Sequence, residues 1–128
     1  MDFTYGQIWD EESLERVISY LELDEVEGLT ILGGEPFESP MGLYKALKDI
    51  KHRVDKPIWV YSGFKYELLS KIYLSRKILE LIDVLVDGEF IEELKDLKLD
   101  FRGSSNQRII NVKESLKKNE IILMDGYK

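Results

Sequence analysis

Three short apolar runs, each stopped by small residues, constrain this chain more than any other feature. Leu29-Thr30-Ile31-Leu32 runs into Gly33-Gly34-Glu35-Pro36, Ile58-Trp59-Val60-Tyr61 into Ser62-Gly63-Phe64, and Val84-Leu85-Val86 into Asp87-Gly88. Patterns of helical period lie between them. Leu14, Val17, Ile18 and Leu21 mark one face of a helix over 10–22, with Asp10 able to cap it. Ser39-Pro40 reads as a helix start, followed by the stripe Leu43, Leu47, Ile50 and Val54. Residues 65–72 and 75–82 suit two short helical pieces. Strand and helix alternating at this spacing build βαβ units and a mostly parallel sheet. The runs 29–32, 58–60 and 84–86 read as buried on both faces, as parallel strands are. The three turns then share one edge of the sheet and define a single candidate pocket.

The remainder is less regular. Residues 1–9 carry Phe3, Tyr5, Ile8 and Trp9 without a clear period and read as an entry segment packed on the domain. Phe90, Ile91, Leu94 and Leu97 suit a short helix. Ile109-Ile110-Asn111-Val112 reads as a strand, 113–118 as a helical turn and 120–124 as a last strand. The whole is expected to be one domain, residues 1–128.

The first turn has the most definite chemistry. Gly33 and Gly34 allow positive φ and let the backbone pass close to a ligand. Glu35 precedes proline, which biases it toward an extended conformation, and Pro36 stiffens the turn. A carboxylate on a stiff turn at the carboxyl end of a strand suits an ammonium or hydroxyl and suits phosphate badly. No Gly-Lys-Ser/Thr follows, so the turn is not a P-loop. On these residues alone the stretch also reads as an ordinary tight turn with Glu35 in solvent.

Charge and composition narrow the function classes. The net charge of −7 argues against general nucleic-acid or anionic-membrane binding. No apolar run approaches the length of a transmembrane helix, and the first residues do not resemble a secretory signal. With 0 cysteines the chain has no disulfide, no thiolate ligand and no thiol nucleophile. The lone His52 lies off the apolar stripe and reads as a surface residue. A cytoplasmic protein is expected.

From residue 28 to about 112 the chain resembles the anaerobic ribonucleotide reductase activating proteins, a branch of the radical S-adenosylmethionine (SAM) enzymes. The resemblance is carried by Leu32-Gly33-Gly34-Glu35-Pro36, by Ile58-Trp59-Val60-Tyr61-Ser62-Gly63-Phe64, by Val84-Leu85-Val86-Asp87-Gly88-Glu89-Phe90 and by Phe101-Arg102-Gly103-Ser104-Ser105-Asn106-Gln107-Arg108. It implies a partial parallel (β/α) barrel of the radical SAM type. It implies that Gly33, Gly34, Glu35 and Pro36 hold the SAM ammonium, with Ser62 and Asp87 facing the same pocket. It implies a [4Fe–4S] cluster, and as partner the large subunit of anaerobic ribonucleotide reductase, on which the family generates a glycyl radical. Residues 102–108 would close the pocket, dock the partner or form a hydrogen-bonded loop.

The family holds its cluster through a C-x₃-C-x₂-C loop after the first strand, and this chain has no cysteine. It therefore looks N-terminally cut, lacking the first strand and the cluster loop, and is expected to be inactive alone. The alternative is a non-catalytic module that binds SAM or a nucleotide, or docks to the reductase. Loss of a first strand would leave residues 29–32 with an open edge. Such an edge invites a homo-oligomer, or else residues 1–9 cover it.

Overall fold

A computed structural model of the chain describes residues 2–4, 11–32 and 35–128, the first three as backbone only. Five strands form one sheet: β1 (Asp2–Thr4), β2 (Leu29–Leu32), β3 (Ile58–Ser62), β4 (Val84–Asp87) and β5 (Arg108–Asn111). They lie side by side in chain order. The first four are parallel, and β5 runs antiparallel to β4. The helices are α1 (Glu11–Leu21), α2 (Pro40–Arg53), α3 (Tyr66–Leu69), α4 (Tyr73–Leu79) and α5 (Val112–Lys118). The architecture is thus mixed α/β with a mostly parallel sheet.

One principal core explains the arrangement. Val17, Ile18 and Leu21 of α1, Leu43, Leu47 and Ile50 of α2, and Ile78 and Leu79 of α4 are buried with Ile31, Ile58, Val60, Leu85 and Ile110 of the sheet. These are the apolar stripes of the helices meeting alternate residues of the strands. Among the described residues the other face of the sheet has only a small cluster, Val84, Val86 and Ile109. Trp59, Tyr61 and Met124 pack against it half-buried. Phe101 and Tyr127 extend this cover, each ring edge-on to Trp59 at centroid distances of 5.1 and 5.7 Å.

Burial on both faces is therefore corrected for two of the three strands. β2 and β3 alternate between buried and half-buried, and only β4 is buried throughout. Among the described residues the helices cover one face only, so Trp59 and Tyr61 look out on the other. The 29–32 edge is not open either. Thr30, Ile31 and Leu32 pair with Asp2, Phe3 and Thr4, so a strand stands where one was expected to be missing. The unsatisfied N–H and C=O groups of a buried strand demand such a partner. Of the two outcomes expected for this edge, an oligomer or cover by residues 1–9, the second is met by residues 2–4.

Two further expectations are corrected. Residues 90–97 contain only a 3₁₀ turn at Glu92–Leu94. The apolar residues there stay in solvent, with Leu97 90% exposed, so their helical spacing has no core to face. Residues 120–124 form no strand. Leu123 makes a single antiparallel bridge to Ile110, while Asn119, left-handed at φ 54°, ends α5 and turns the chain back. Asp10 as a helix cap, and Tyr5, Ile8 and Trp9, lie outside the described residues.

Two glycines are fixed by geometry. A Cβ on Gly28 would stand 2.6 Å from the Pro57 carbonyl oxygen, where Leu29 N–H bonds at 2.9 Å to start the β2–β3 ladder. Gly88 takes φ +100° just after β4.

Ile31 is fully buried on the interior strand β2, whereas Tyr73 is 77% exposed. Ile31→Ala is expected to lower unfolding free energy by about 3 kcal/mol, and Tyr73→Ala by less than about 0.5 kcal/mol. Urea titration followed by circular dichroism measures both.

Candidate functional site

The parallel ladder sets the carboxyl ends of β2, β3 and β4 level. Ser62 pairs with Asp87 in register, and Asp87 with Arg108. These residues therefore point to the same side of the sheet, at its carboxyl edge. Glu35 follows β2 at that edge. Its backbone is extended, φ −114° and ψ 103°, as a residue before proline should be. Pro36 and Phe37 begin a 3₁₀ turn and are buried, so the apolar side of the turn is anchored in the core.

The Glu35 carboxylate is met by three donors. Gly63 N–H donates to Oε1 at 2.7 Å, and Phe37 N–H donates to Oε2 at 3.0 Å. The Ser62 hydroxyl lies 3.1 Å from Oε1 and 2.9 Å from Oε2. All three donors are neutral, and no lysine, arginine or histidine among the described residues pairs with this carboxylate. A cleft of about 170 Å³ borders the edge, lined by Tyr61, Ser62, Gly63, Val86, Gly88, Glu89, Phe90 and Gln107. A second, about 310 Å³, lies on the open face between Thr30, Leu32, Trp59, Tyr61 and Phe101.

Asp87 is held differently. Its side chain is 1% exposed and takes Arg108 in a bidentate pair, Nε to Oδ1 at 3.0 Å and Nη2 to Oδ2 at 2.5 Å. Tyr66 N–H adds a bond of 2.8 Å at the start of α3. Arg108 also reaches Glu67, Nη2 to Oε1 at 2.6 Å. The hydrogen bonds that Arg108 donates to Asp87 and then to Glu67 raise its pKa still further. In turn the bond from Arg108 holds the Glu67 carboxyl below its ordinary range. Asp87 therefore ties β4, β5 and α3 together.

Residues 102–108 form a hydrogen-bonded brace. Gln107 Oε1 accepts from the N–H groups of Gly103 and Ser104, and its Nε2 donates to the Gly88 carbonyl. Asn106 Nδ2 donates to the Glu89 carbonyl, and buried Ser104 donates to Asn106 Oδ1 while accepting from Ile91 N–H. The polar side chains of the loop thus hold the turn after β4.

Of the residues expected at the site, Glu35, Pro36, Ser62 and Asp87 share the carboxyl edge, and Gly33 and Gly34 lie outside the described residues. Sequence reading missed Gly63, Phe37 and Arg108 as partners. The Ser62-Gly63 turn was visible, but an amide as donor leaves no mark in residue type. Arg108 faces Asp87 only because β5 runs antiparallel. His52 is exposed in the last turn of α2.

Removal of the Asp87 carboxylate strands a guanidinium and a buried amide. Asp87→Ala is expected to cost about 3 kcal/mol, the low end for breaking a buried pair because Arg108 remains partly hydrated. Glu67 adds a smaller, pH-dependent part. Its folded pKa is depressed, so its contribution is present above the unfolded value of about 4.3 and is lost as pH falls through the lower folded value. Arg108→Gln should remove that acid dependence. Urea midpoints measured between about pH 7 and pH 3 test both statements.

A model of the 4Fe-4S single cluster domain family matches residues 1–110. The anaerobic ribonucleoside-triphosphate reductase-activating protein of Haemophilus influenzae is 38% identical over 114 residues, covering 84% of this chain and 71% of that one. The protein of the same name from Pasteurella multocida is 37% identical over 113 residues, covering 84% and 71%. Its namesake in Escherichia coli K12 is 34% identical over 108 residues, covering 80% and 68%. No solved structure matches the chain. A 4Fe–4S cluster is held by thiolates. The 128 residues contain 0 cysteines and 1 histidine. Among the described residues no group of three or more His, Asp or Glu is placed to hold a metal. The residues present do not fit the cluster. By sequence and by the domain it matches, the chain nonetheless belongs to the 4Fe-4S single cluster domain family and, within it, to the anaerobic ribonucleoside-triphosphate reductase-activating proteins.

Proposed function

We propose that this chain serves anaerobic ribonucleoside-triphosphate reductase, as its relatives' names state for them, by presenting SAM at the carboxyl edge of the sheet. Residues 33–36 take the amino-acid end of SAM, with the Glu35 carboxylate accepting its ammonium. Ser62 and Asp87 shape the same edge. One observation carries this reading: Glu35 is bound by three neutral donors and by no protein cation among the described residues. A carboxylate so arranged is oriented yet keeps its charge uncompensated, which suits a ligand ammonium. The neighbouring Asp87 already has its cation in Arg108. Strands β1 to β4 in sequential order, with helices on one face and an open opposite face, support a partial barrel of the radical SAM type.

The chain's own part is binding and orientation. It offers no thiolate for a cluster, so these residues by themselves are expected to be inactive as an activase. A second reading rests on the same observation. A chain with an arranged carboxyl edge and no cysteine suits a non-catalytic module that binds SAM or a nucleotide, or docks to the reductase. Among the described residues no helix is long and apolar enough to cross a membrane.

Calorimetric titration with SAM is expected to show binding that Glu35→Ala weakens by about tenfold or more, the range for a hydrogen bond between charged groups. Equal affinity in both proteins would remove Glu35 as the ammonium partner. Anaerobic reconstitution with iron and sulfide should leave the 128-residue chain with far less than one cluster per chain. Stoichiometric iron with the visible absorption of a cluster would overturn the inactivity of these residues alone.

A further inference from the structure

Ser62 is among the residues named for SAM itself, but its hydrogen bonds point elsewhere. A hydroxyl has one proton to donate. Here Phe64 N–H donates to Ser62 Oγ at 3.0 Å, which fixes the oxygen from behind. The proton is then directed at the Glu35 carboxylate, between Oε1 and Oε2. Ser62 is 6% exposed, so little of it is open to a ligand.

A carboxylate offers about four lone-pair positions. Gly63 N–H takes one on Oε1, and Phe37 N–H takes one on Oε2. Ser62 lies across the two oxygens. The donors come from two neighbouring strand ends: Phe37 from the turn after β2, Ser62 from the last position of β3 and Gly63 from the residue after it. Glu35 is therefore braced across neighbouring strand ends. A long carboxylate side chain otherwise loses rotamer freedom when it binds, and a brace that has already fixed it removes that loss from the binding step.

We infer that Ser62 is a positioning residue: its hydroxyl, itself held by Phe64 N–H, aims Glu35 rather than touching the ligand. This rests on reading Glu35 as the ammonium acceptor of the amino-acid end of SAM. Ser62 then acts only on the part of the ligand that Glu35 meets. It should matter for a ligand with an α-amino group and not for one without.

The test uses S-adenosylhomocysteine and its analogue lacking the α-amino group, titrated against wild type, Ser62→Ala and Ser62→Thr. Ser62→Ala is expected to weaken S-adenosylhomocysteine about tenfold, ~1.4 kcal/mol, and to change the desamino analogue by less than about twofold. Ser62→Thr, which keeps the hydroxyl, should restore most of the loss. In parallel, amide hydrogen exchange is read at Phe37 and Gly63 without ligand. Ser62→Ala should speed exchange at both, as should Glu35→Ala, and Ser62→Thr should not. Equal losses for the two ligands, or unchanged exchange at Phe37 and Gly63 in Ser62→Ala, would overturn the positioning role. If wild type binds neither ligand, the SAM reading falls, while the exchange measurement still decides whether Ser62 aims Glu35.

Discussion

A carboxylate at the end of a buried strand has to be met by donors, and the carboxyl edge of this sheet is built around two that are met in different ways. Asp87 is almost fully buried, and the cost of placing its charge there is offset by the planar fork of Arg108 and one backbone amide. That arrangement fixes where β5 and α3 begin relative to β4. Glu35 sits at the same edge and, among the described residues, meets neutral donors only. One charge is closed within the protein, and the other meets no protein cation among the described residues. Level strand ends make the contrast possible, because parallel register brings Ser62 beside Asp87 and lets the turn after β3 reach Glu35.

The legible part of this edge was the part written in local chemistry. Proline after Glu35 predicts an extended residue on a stiff turn, and the backbone angles agree. Apolar runs separated by helical stripes predict the βαβ order, and the sheet follows it. What the strands face was not legible. Ile58 to Tyr61 is apolar throughout, yet Ile58 and Val60 enter the core while Trp59 and Tyr61 look out on a face without helices. An apolar run does not say whether its second face is covered, because aromatic residues satisfy a half-buried face as well as a buried one. The same weakness produced a helix at 90–97. Phe90, Ile91, Leu94 and Leu97 have helical spacing, but none of them is buried in the core and only one 3₁₀ turn forms.

Long-range partners were the least legible of all. Arg108 lies 21 residues from Asp87, and Ser62 lies 27 residues from Glu35. Neither separation has a sequence signal, since each depends on the register of strands that meet only in the folded sheet. The brace at 102–108 shows the same limit. Its residues are good turn formers and predict a loop, but only the structure shows that Gln107 and Asn106 hold the carbonyls of Gly88 and Glu89.

The absence of cysteine separates two things that a single-cluster domain ordinarily combines. In small metal-dependent domains the metal site contributes folding energy outright. Here the core is supplied by apolar helix stripes on one face of the sheet, and the carboxyl edge by hydrogen bonds among side chains and backbone. Among the described residues no buried side-chain polar atom lacks a partner. Neither the core nor the edge calls on a thiolate. The core and the carboxyl edge thus rest on interactions that need no thiolate, whereas a 4Fe–4S cluster needs thiolate ligands that these residues do not include.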